Sequence, residues 1–286
     1  MAVYRRGYQR YQGPLTSRWA RVMTLPRFAW QRLSAQRMFL IMMAISVIWP
    51  VLCAVYIYIS NRDDLVGNLP GDLRRHLTID AAFFRIFMNV QASFAVLLAA
   101  LSGPGLIAPD LANNALPLYF SRPLSRLEYV LARMMTLFAL LSLVTWAPGL
   151  LLVGMQSAMA GWTWFSAHWT IGLGVFCGLA IWVILVSLVA LASSAYVKWR
   201  IIAGAAILAF FFITPGLARM VDAVLRVEWG TLLNPTGAMY VIWSAMLGAD
   251  MPSGPGVWAC ATTLTVLAVL LGLIIEKKLR AVEVVA

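Results

Sequence analysis

Long apolar runs separated by short polar stretches dominate the hydrophobic pattern of this chain. Residues 38–61 and 86–109 are uncharged, and each run has the length of one membrane-spanning helix. Residues 134–197 also lack Asp, Glu, Lys and Arg, and this run is too long for one crossing. Polar and aromatic residues interrupt it at 154–169. The pattern there predicts a helical hairpin whose turn lies in an aromatic belt.

Two further apolar runs, 201–218 and 257–275, complete a predicted set of six spans. The stretch 229–249 is also uncharged, but glycines and an Asn-Pro pair break its first half and leave 238–247 as the apolar part. Because that part is too short to cross a bilayer, a re-entrant or interfacial helix is favoured over a seventh span. The predicted fold class is therefore an all-α membrane protein.

The N-terminal segment is basic and aromatic, and its end predicts a helix over 26–37 that lies in the membrane interface. One face would hold apolar side chains and the other arginines, namely Phe28, Trp30, Leu33 and Met38 against Arg27, Arg32 and Arg37. For residues 1–20, a basic tail in solvent is predicted equally with a segment that lies in the membrane interface. The basic region is too long for a cleavable signal peptide and no A-x-A site follows the first apolar run, so that run is expected to remain as an anchor.

The positions of the basic residues predict the orientation. Eight arginines precede the first apolar run. With six spans and a cytosolic N-terminus, sixteen of the 22 basic residues fall on the cytosolic side and six on the other. A seventh span would place Lys277, Lys278 and Arg280 outside, which the same rule disfavours. The predicted division is a basic tail and interfacial helix at 1–37, a six-span membrane domain at 38–280 and a cytosolic tail at 281–286.

Composition agrees with a membrane environment, since 62% of the residues are hydrophobic and only 12% are charged. A net charge of +11 would suggest nucleic acid as the partner of a soluble protein. Here the arginines cluster before the first span, which favours anionic lipid headgroups as the partner. Membrane lipids are therefore expected as partners and nucleic acid is not.

Few residues are arranged for chemistry. The three cysteines, Cys53, Cys177 and Cys260, lie in apolar runs without a CxxC pair and are expected to be small buried hydrophobes. No GxxxxGK[ST] stretch is present, and His76 and His168 are isolated from each other. The chain is expected to be no enzyme and to bind no cofactor or metal itself. No charged residue lies at the centre of a predicted span, where ion-coupled carriers usually need one.

Small residues, prolines and amides predict how the spans pack. Gly174 and Gly178 have the spacing that lets two helices approach closely. Prolines at 50, 104 and 148 are expected to kink their spans. The strongest polar groups in or beside the spans are expected to form hydrogen bonds between helices; they are Asn89, Gln91 and Gln156.

The segment 109–133, PDLANNALPLYFSRPLSRLEYVLAR, contains the densest local structure signals between two predicted spans, and with six spans it is cytosolic. Asp110 is predicted to cap a short helix through Leu111, Asn114 and Leu116. Prolines at 117 and 123 are expected to interrupt any longer helix.

The end of the same segment carries a helix start signal. Ser125 and Glu128 have the three-residue spacing of a capping box, in which a hydroxyl and a carboxylate satisfy each other's backbone N–H groups. This box is predicted to begin the helix that becomes the third span.

The string LPLYFSRPLSRLEYVLARM, residues 116–134, resembles the cytosolic loop of type-2 permease subunits of ATP-binding-cassette (ABC) transporters. Those loops commonly carry an L-Y-L-S-R-P-L-S-R-x-E-Y-V-like string, and Phe120 stands here where Leu is usual. Leu-Leu-Asn-Pro at 232–235, the basic N-terminal helix and the six-span plan are similar to that family as well.

The resemblance implies a half-transporter of the bacterial cytoplasmic (inner) membrane with both termini in the cytosol. Two identical or related permease subunits would pair, and each would dock its first cytosolic loop on a separate cytosolic ABC ATPase subunit. ATP and Mg would be bound by that ATPase rather than by this chain. The type-2 architecture implies export, and it leaves the substrate open.

The resemblance places the ATPase-coupling interface in the loop. Arg122, Arg126 and Glu128 would make charged contacts or fix the loop, and the apolar and aromatic side chains would supply buried area. The predicted interface comprises Asp110, Leu111, Asn114, Leu116, Leu118, Tyr119, Phe120, Ser121, Arg122, Pro123, Arg126 and Glu128. The alternative is that the arginines only follow the positive-inside rule.

Two other function classes stay open on the sequence. One is a membrane-anchored enzyme or assembly factor without transport, and the other is a secondary carrier or channel. A co-purifying ATPase would favour the permease, whereas flux driven by ion gradients alone would favour the carrier.

Overall fold

The structure is a computed structural model that describes residues 17–62, 64, 78–113, 115, 125–197 and 199–280. This part is helical and contains no strand. In chain order its helices are α1 (Arg18–Ser34), α2 (Arg37–Ser60), α3 (Ala81–Ser102), α4 (Pro104–Ala112), α5 (Arg126–Val144), α6 (Trp146–Ala160), α7 (Trp162–Tyr196), α8 (Arg200–Leu225), α9 (Pro235–Leu247) and α10 (Val257–Arg280), with a 3₁₀ turn at Gly230–Leu233 before α9.

Six helical segments of the described chain are long and apolar enough to cross a membrane. They are Arg37–Ser60, Ala81–Ala112, Arg126–Ala160, Trp162–Tyr196, Arg200–Leu225 and Val257–Leu279. The predicted all-α fold with six candidate spans is thus confirmed, and the chain has the character of a multi-pass membrane protein.

Helix α7 is the centre of the bundle and packs against α3, α4, α5, α6, α8, α9 and α10. Its buried side chains include Val175, Trp182 and Val186. The indole N–H of Trp182 donates to the carbonyl of Ala92 on α3 at 3.2 Å. The outer helices α2 and α10 leave most of their apolar side chains exposed or only partly buried, as helices do when lipid rather than water surrounds them.

The second and third spans are each broken into two helices beside a proline. Pro104 begins α4 and Pro148 lies in the first turn of α6, where a missing backbone N–H costs no helical hydrogen bond. At the first break a Cβ on Gly103 would lie 2.8 Å from the Cβ of Ala190 and 2.7 Å from the carbonyl oxygen of Ala99. Glycine is therefore what lets α7 approach the break. Pro50 lies inside α2.

The predicted hairpin turns at Gly161, within 154–169, where φ is +87° and separates α6 from α7. Such a φ strains residues that carry a Cβ, so a glycine suits this turn. A second irregularity follows at His168, whose φ of −125° and ψ of 18° kink the start of α7.

The stretch 229–249 forms the 3₁₀ turn and α9, which has 13 residues. At 1.5 Å per residue α9 is about 20 Å long, too short to cross a bilayer. Asn234 caps its start by accepting from the backbone N–H of Thr236 at 3.1 Å, and Gly248 ends it with φ of +70°. Helix α9 packs on the Gly174 and Gly178 face of α7, the use predicted for those two glycines.

Helix α1 differs from the predicted helix at 26–37 in its bounds and in one of its faces. It begins at Arg18, capped by Ser17, and contains Pro26 in its interior. Leu33, predicted to face lipid, is instead buried, with only 3% of its surface exposed. The cause is a stripe of Val22, Ala29 and Leu33 at helical spacing, on a helix that packs against α5.

Helix α8 continues past its predicted end and reaches Leu225, so Thr214-Pro215-Gly216 does not terminate it. The hydroxyl of Thr214 donates to the carbonyl of Phe210 at 2.8 Å. Side-chain hydroxyls of this kind help a membrane helix to tolerate a proline.

Candidate functional site

The candidate site is the junction of α4 and α5 around the 109–133 segment. The structure describes Asp110, Leu111, Arg126 and Glu128 among the predicted interface residues. The other eight lie outside the described residues: Asn114, Leu116, Leu118, Tyr119, Phe120, Ser121, Arg122 and Pro123. The site is therefore defined by the two ends of the loop.

The predicted capping box is present at the start of α5. The backbone N–H of Glu128 donates to the Ser125 hydroxyl at 3.3 Å, and the backbone N–H of Ser125 donates to the Glu128 carboxylate at 2.7 Å. The Ser125 hydroxyl also donates to that carboxylate at 2.9 Å. These bonds satisfy N–H groups that a helix start leaves without partners and fix where the loop ends.

Asp110 does not cap a new helix, which corrects the prediction for this residue. It lies near the C-terminal end of α4, a helix that begins at Pro104 and ends at Ala112. The start of α4 is satisfied by Ser194 of α7, whose hydroxyl accepts from the backbone N–H groups of Ile107 at 3.2 Å and Ala108 at 3.0 Å. Because the helix starts earlier and is capped from another span, the Asp110 carboxylate is available for other contacts.

The Asp110 cluster, as we name Asp110, Tyr129 and Arg133, joins α4 to α5. The Tyr129 hydroxyl donates to the Asp110 carboxylate at 2.6 Å, and the Arg133 guanidinium forms an ion pair with the same carboxylate oxygen. The guanidinium carbon also lies 5.2 Å from the centre of the Tyr129 ring, within the range of a cation–π contact.

Because the cluster is buried, removing one of its side chains is expected to cost considerable stability. Tyr129 is fully buried, and Arg133 exposes only 7% of its surface. A buried ion pair contributes little net stability, but removing one partner leaves an uncompensated buried charge and typically costs about 3–5 kcal/mol. The Nε of Arg133 is buried and makes no hydrogen bond within the described part of the chain, so the guanidinium depends on its other nitrogens and on Asp110.

A second polar contact lies at the same end of the bundle. Arg200, at the start of α8, donates to the carbonyl of Leu101 at 3.1 Å and to the side-chain oxygen of Gln36. It thereby connects the start of α2, the end of α3 and the start of α8. Together with the packing of α1 on α5, these contacts connect the helices at this end of the bundle.

Two other described residues of the predicted interface are only partly buried. Leu111 is half-buried against the core, and Arg126 is partly exposed at the first position of α5.

The sequence prediction includes Tyr129 only as part of the motif, and Arg133 only in the count of basic residues that predicts the orientation. Their spacing of four residues on one helix places both on one face, and Asp110 is the only acid between Asp80 and Glu128. That spacing is the signal that could have found the cluster.

A scan against models of known protein families finds no match to this chain, and a search of curated proteins finds none either. The functional argument therefore depends on the residues of the loop and on the contacts at its two ends.

Proposed function

We propose that this chain is the membrane-spanning permease subunit of an ABC transporter, an exporter driven by a separate ATPase subunit through the 109–133 loop. The observation that carries the proposal is the loop string SRPLSRLEY, whose final part forms a capping box at the start of the third span. Two such subunits, identical or related, pair in a bacterial cytoplasmic membrane with both termini in the cytosol.

The contacts at the loop ends support a mechanical role. A loop transmits movement only if its ends are held, since a loop with loose ends would bend under load. Asp110 and Arg133 hold the two sides together, and Ser194 holds the start of α4 to the central helix. Displacement of the loop by an ATPase would therefore move α4 and α5 together, and the Ser194 contact would pass the movement on to α7.

The energy source lies outside this chain in the proposal. ATP and Mg²⁺ bind to the partner ATPase, and this chain supplies the membrane path and the docking loop. Arg122, Tyr119 and Phe120 provide the charged and aromatic contacts to the partner, because aromatic and arginine side chains supply most of the binding energy in many interfaces.

Co-purification tests the proposal. The tagged chain, extracted from its native membrane, is expected to recover an ATPase subunit, and Arg122→Glu combined with Tyr119→Ala is expected to lower the recovery by about tenfold or more. The matched control is Arg219→Glu combined with Trp229→Ala, an arginine and an exposed tryptophan predicted on the opposite side of the membrane.

Two outcomes would overturn the proposal. One is that no ATPase accompanies the unaltered chain. The other is that the loop variant recovers as much ATPase as the control variant does. Flux driven by an ion gradient in vesicles without ATP would instead identify a secondary carrier.

A further inference from the structure

A cavity of about 640 Å³ lies between α2 and α3, at the end of the bundle opposite the 109–133 loop. It is lined largely by apolar and aromatic side chains, including Trp49, Tyr56, Phe83 and Ile86. Its volume falls within the range of small-molecule sites, which is roughly 300–1,000 Å³. None of its described lining residues belongs to the 109–133 loop or to the contacts at the two ends of that loop.

The walls of the cavity suit an apolar chain or ring. Tyr56 of α2 and Phe83 of α3 stack with their ring centres 5.4 Å apart and an interplanar angle of 11°. Trp49 precedes Tyr56 by seven residues, which corresponds to about 10 Å along the helix. The cavity therefore extends about two helical turns along the span from its polar end at Asp80.

The polar end of the cavity carries a carboxylate. Asp80 caps α3 by accepting from the backbone N–H of Phe83 at 3.0 Å. Among the described residues no basic side chain lies within ion-pair distance of it. Asp80 also lines a neighbouring, more polar cavity of about 340 Å³, to which Asp250 and His168 contribute.

The arginine on the first turns of α3 makes its contacts with other partners at this end of the bundle. Arg85 donates to the Ser244 hydroxyl at 3.1 Å and to the carbonyl of Asp250 at 2.5 Å, and it lies 5.0 Å from the centre of the Tyr240 ring. These contacts direct it toward α9, whereas the large cavity faces α2. The Asp80 carboxylate can therefore form an ion pair with a cationic ligand.

We propose that this cavity binds an amphiphile with an ammonium head group, the head at Asp80 and the apolar part between Tyr56, Phe83 and Trp49. Carboxylate and aromatic faces both favour a cationic head over an anionic one. That the amphiphile is transported cargo rests on the proposed function, whereas its binding does not.

Photo-crosslinking tests the binding on the isolated full-length chain in nanodiscs of neutral lipid. The probe is octylammonium with a diazirine at the end of its chain, compared with octyl sulfate carrying the same group. Mass spectrometry is expected to find several-fold more label on α2 and α3 peptides with the ammonium probe. Asp80→Asn is expected to lower ammonium labelling to the level of the sulfate probe.

Two further variants make the test specific. Asp64→Asn removes the same charge from an exposed residue that pairs with Arg62 outside the cavity, and it is expected to leave labelling unchanged. Ile86→Trp is expected to fill the cavity and to abolish the labelling by both probes. Equal labelling by the two probes, or ammonium labelling that survives Asp80→Asn, would overturn the inference.

The role as cargo is tested separately in the complex with its ATPase. Octylammonium is expected to stimulate ATP hydrolysis, and Asp80→Asn is expected to abolish the stimulation. An ATPase that co-purifies without probe labelling would leave the proposed function standing and the cavity inference wrong. Labelling as predicted without any ATPase partner would leave the binding site standing and the transporter proposal wrong.

Discussion

At the scale of single residues, Arg133 illustrates what a charge needs near the end of an apolar helix. Its guanidinium is almost fully buried and is compensated by one carboxylate from a different helix. The Tyr129 hydroxyl uses the same carboxylate, so Asp110 serves two buried donors at once. The stability of the junction therefore depends more on Asp110 than on either partner.

Replacing Asp110 should reveal this dependence. Asp110→Leu is expected to destabilise the protein by about 3–5 kcal/mol because Arg133 is left uncompensated, and Tyr129→Phe by about 1.5–3 kcal/mol. Asp110→Leu with Arg133→Met should recover the part of the loss that comes from the uncompensated charge, since an apolar pair removes both charges. Heat- or denaturant-induced unfolding in nanodiscs measures each value.

The same double variant separates structure from coupling. It should be stable but, under the proposed function, couple ATP hydrolysis to transport poorly, because an apolar pair lacks the directional bonds of the original. If it is stable and fully coupled, the Asp110 cluster is only structural.

At the scale of helices, the contact of α9 with α7 depends on positions that have no side chain. A Cβ on Gly178 would lie 2.7 Å from Trp243 Cδ1 and 2.9 Å from the Cε of Met88. Trp243 and Met88 are themselves fully buried, so neither has free space to move into. Close packing of this kind is a main source of helix association in lipid, where the hydrophobic effect contributes little.

Gly178→Ala is expected to destabilise the bundle by about 1–3 kcal/mol through overpacking. Gly172→Ala on the same helix is the matched control. Its new Cβ would meet Val153 Cγ1 at 3.5 Å, an ordinary contact, so the loss of glycine flexibility should be neutral or stabilising by up to about 1 kcal/mol. Equal unfolding midpoints for the two variants would contradict the packing argument.

At the scale of the whole molecule, six candidate spans fix the relation between the loop and the hairpin turn. An odd number of crossings lies between 109–133 and Gly161, so the loop and the turn must face opposite sides of the membrane. The excess of arginine and lysine predicts that the loop side faces the cytosol.

Cysteine labelling in a variant without its three native cysteines tests this arrangement. Leu127→Cys is preferable to Ser125→Cys because Leu127 is 68% exposed and its replacement leaves the capping box intact. A membrane-impermeant maleimide should label it only from the cytosolic side, and should label Ser166→Cys only from outside. The reverse result would invert the orientation, and labelling of both from one side would contradict six spans.

The sequence by itself determined the all-α class, the six candidate spans, the hairpin turn near Gly161 and the capping box at Ser125. These features depend on local properties: the length of apolar runs, the conformational freedom of glycine, and a hydroxyl and a carboxylate three residues apart. Each can be seen within a few turns of one helix.

Only the tertiary structure decided that Asp110 pairs with Tyr129 and Arg133, that Leu33 packs inward on α5, and that an aromatic cavity ends at Asp80. Each of these depends on which helix faces which. A residue whose partner lies on another helix obtains its role from the packing, because burial and the absence of water decide which contact its side chain makes.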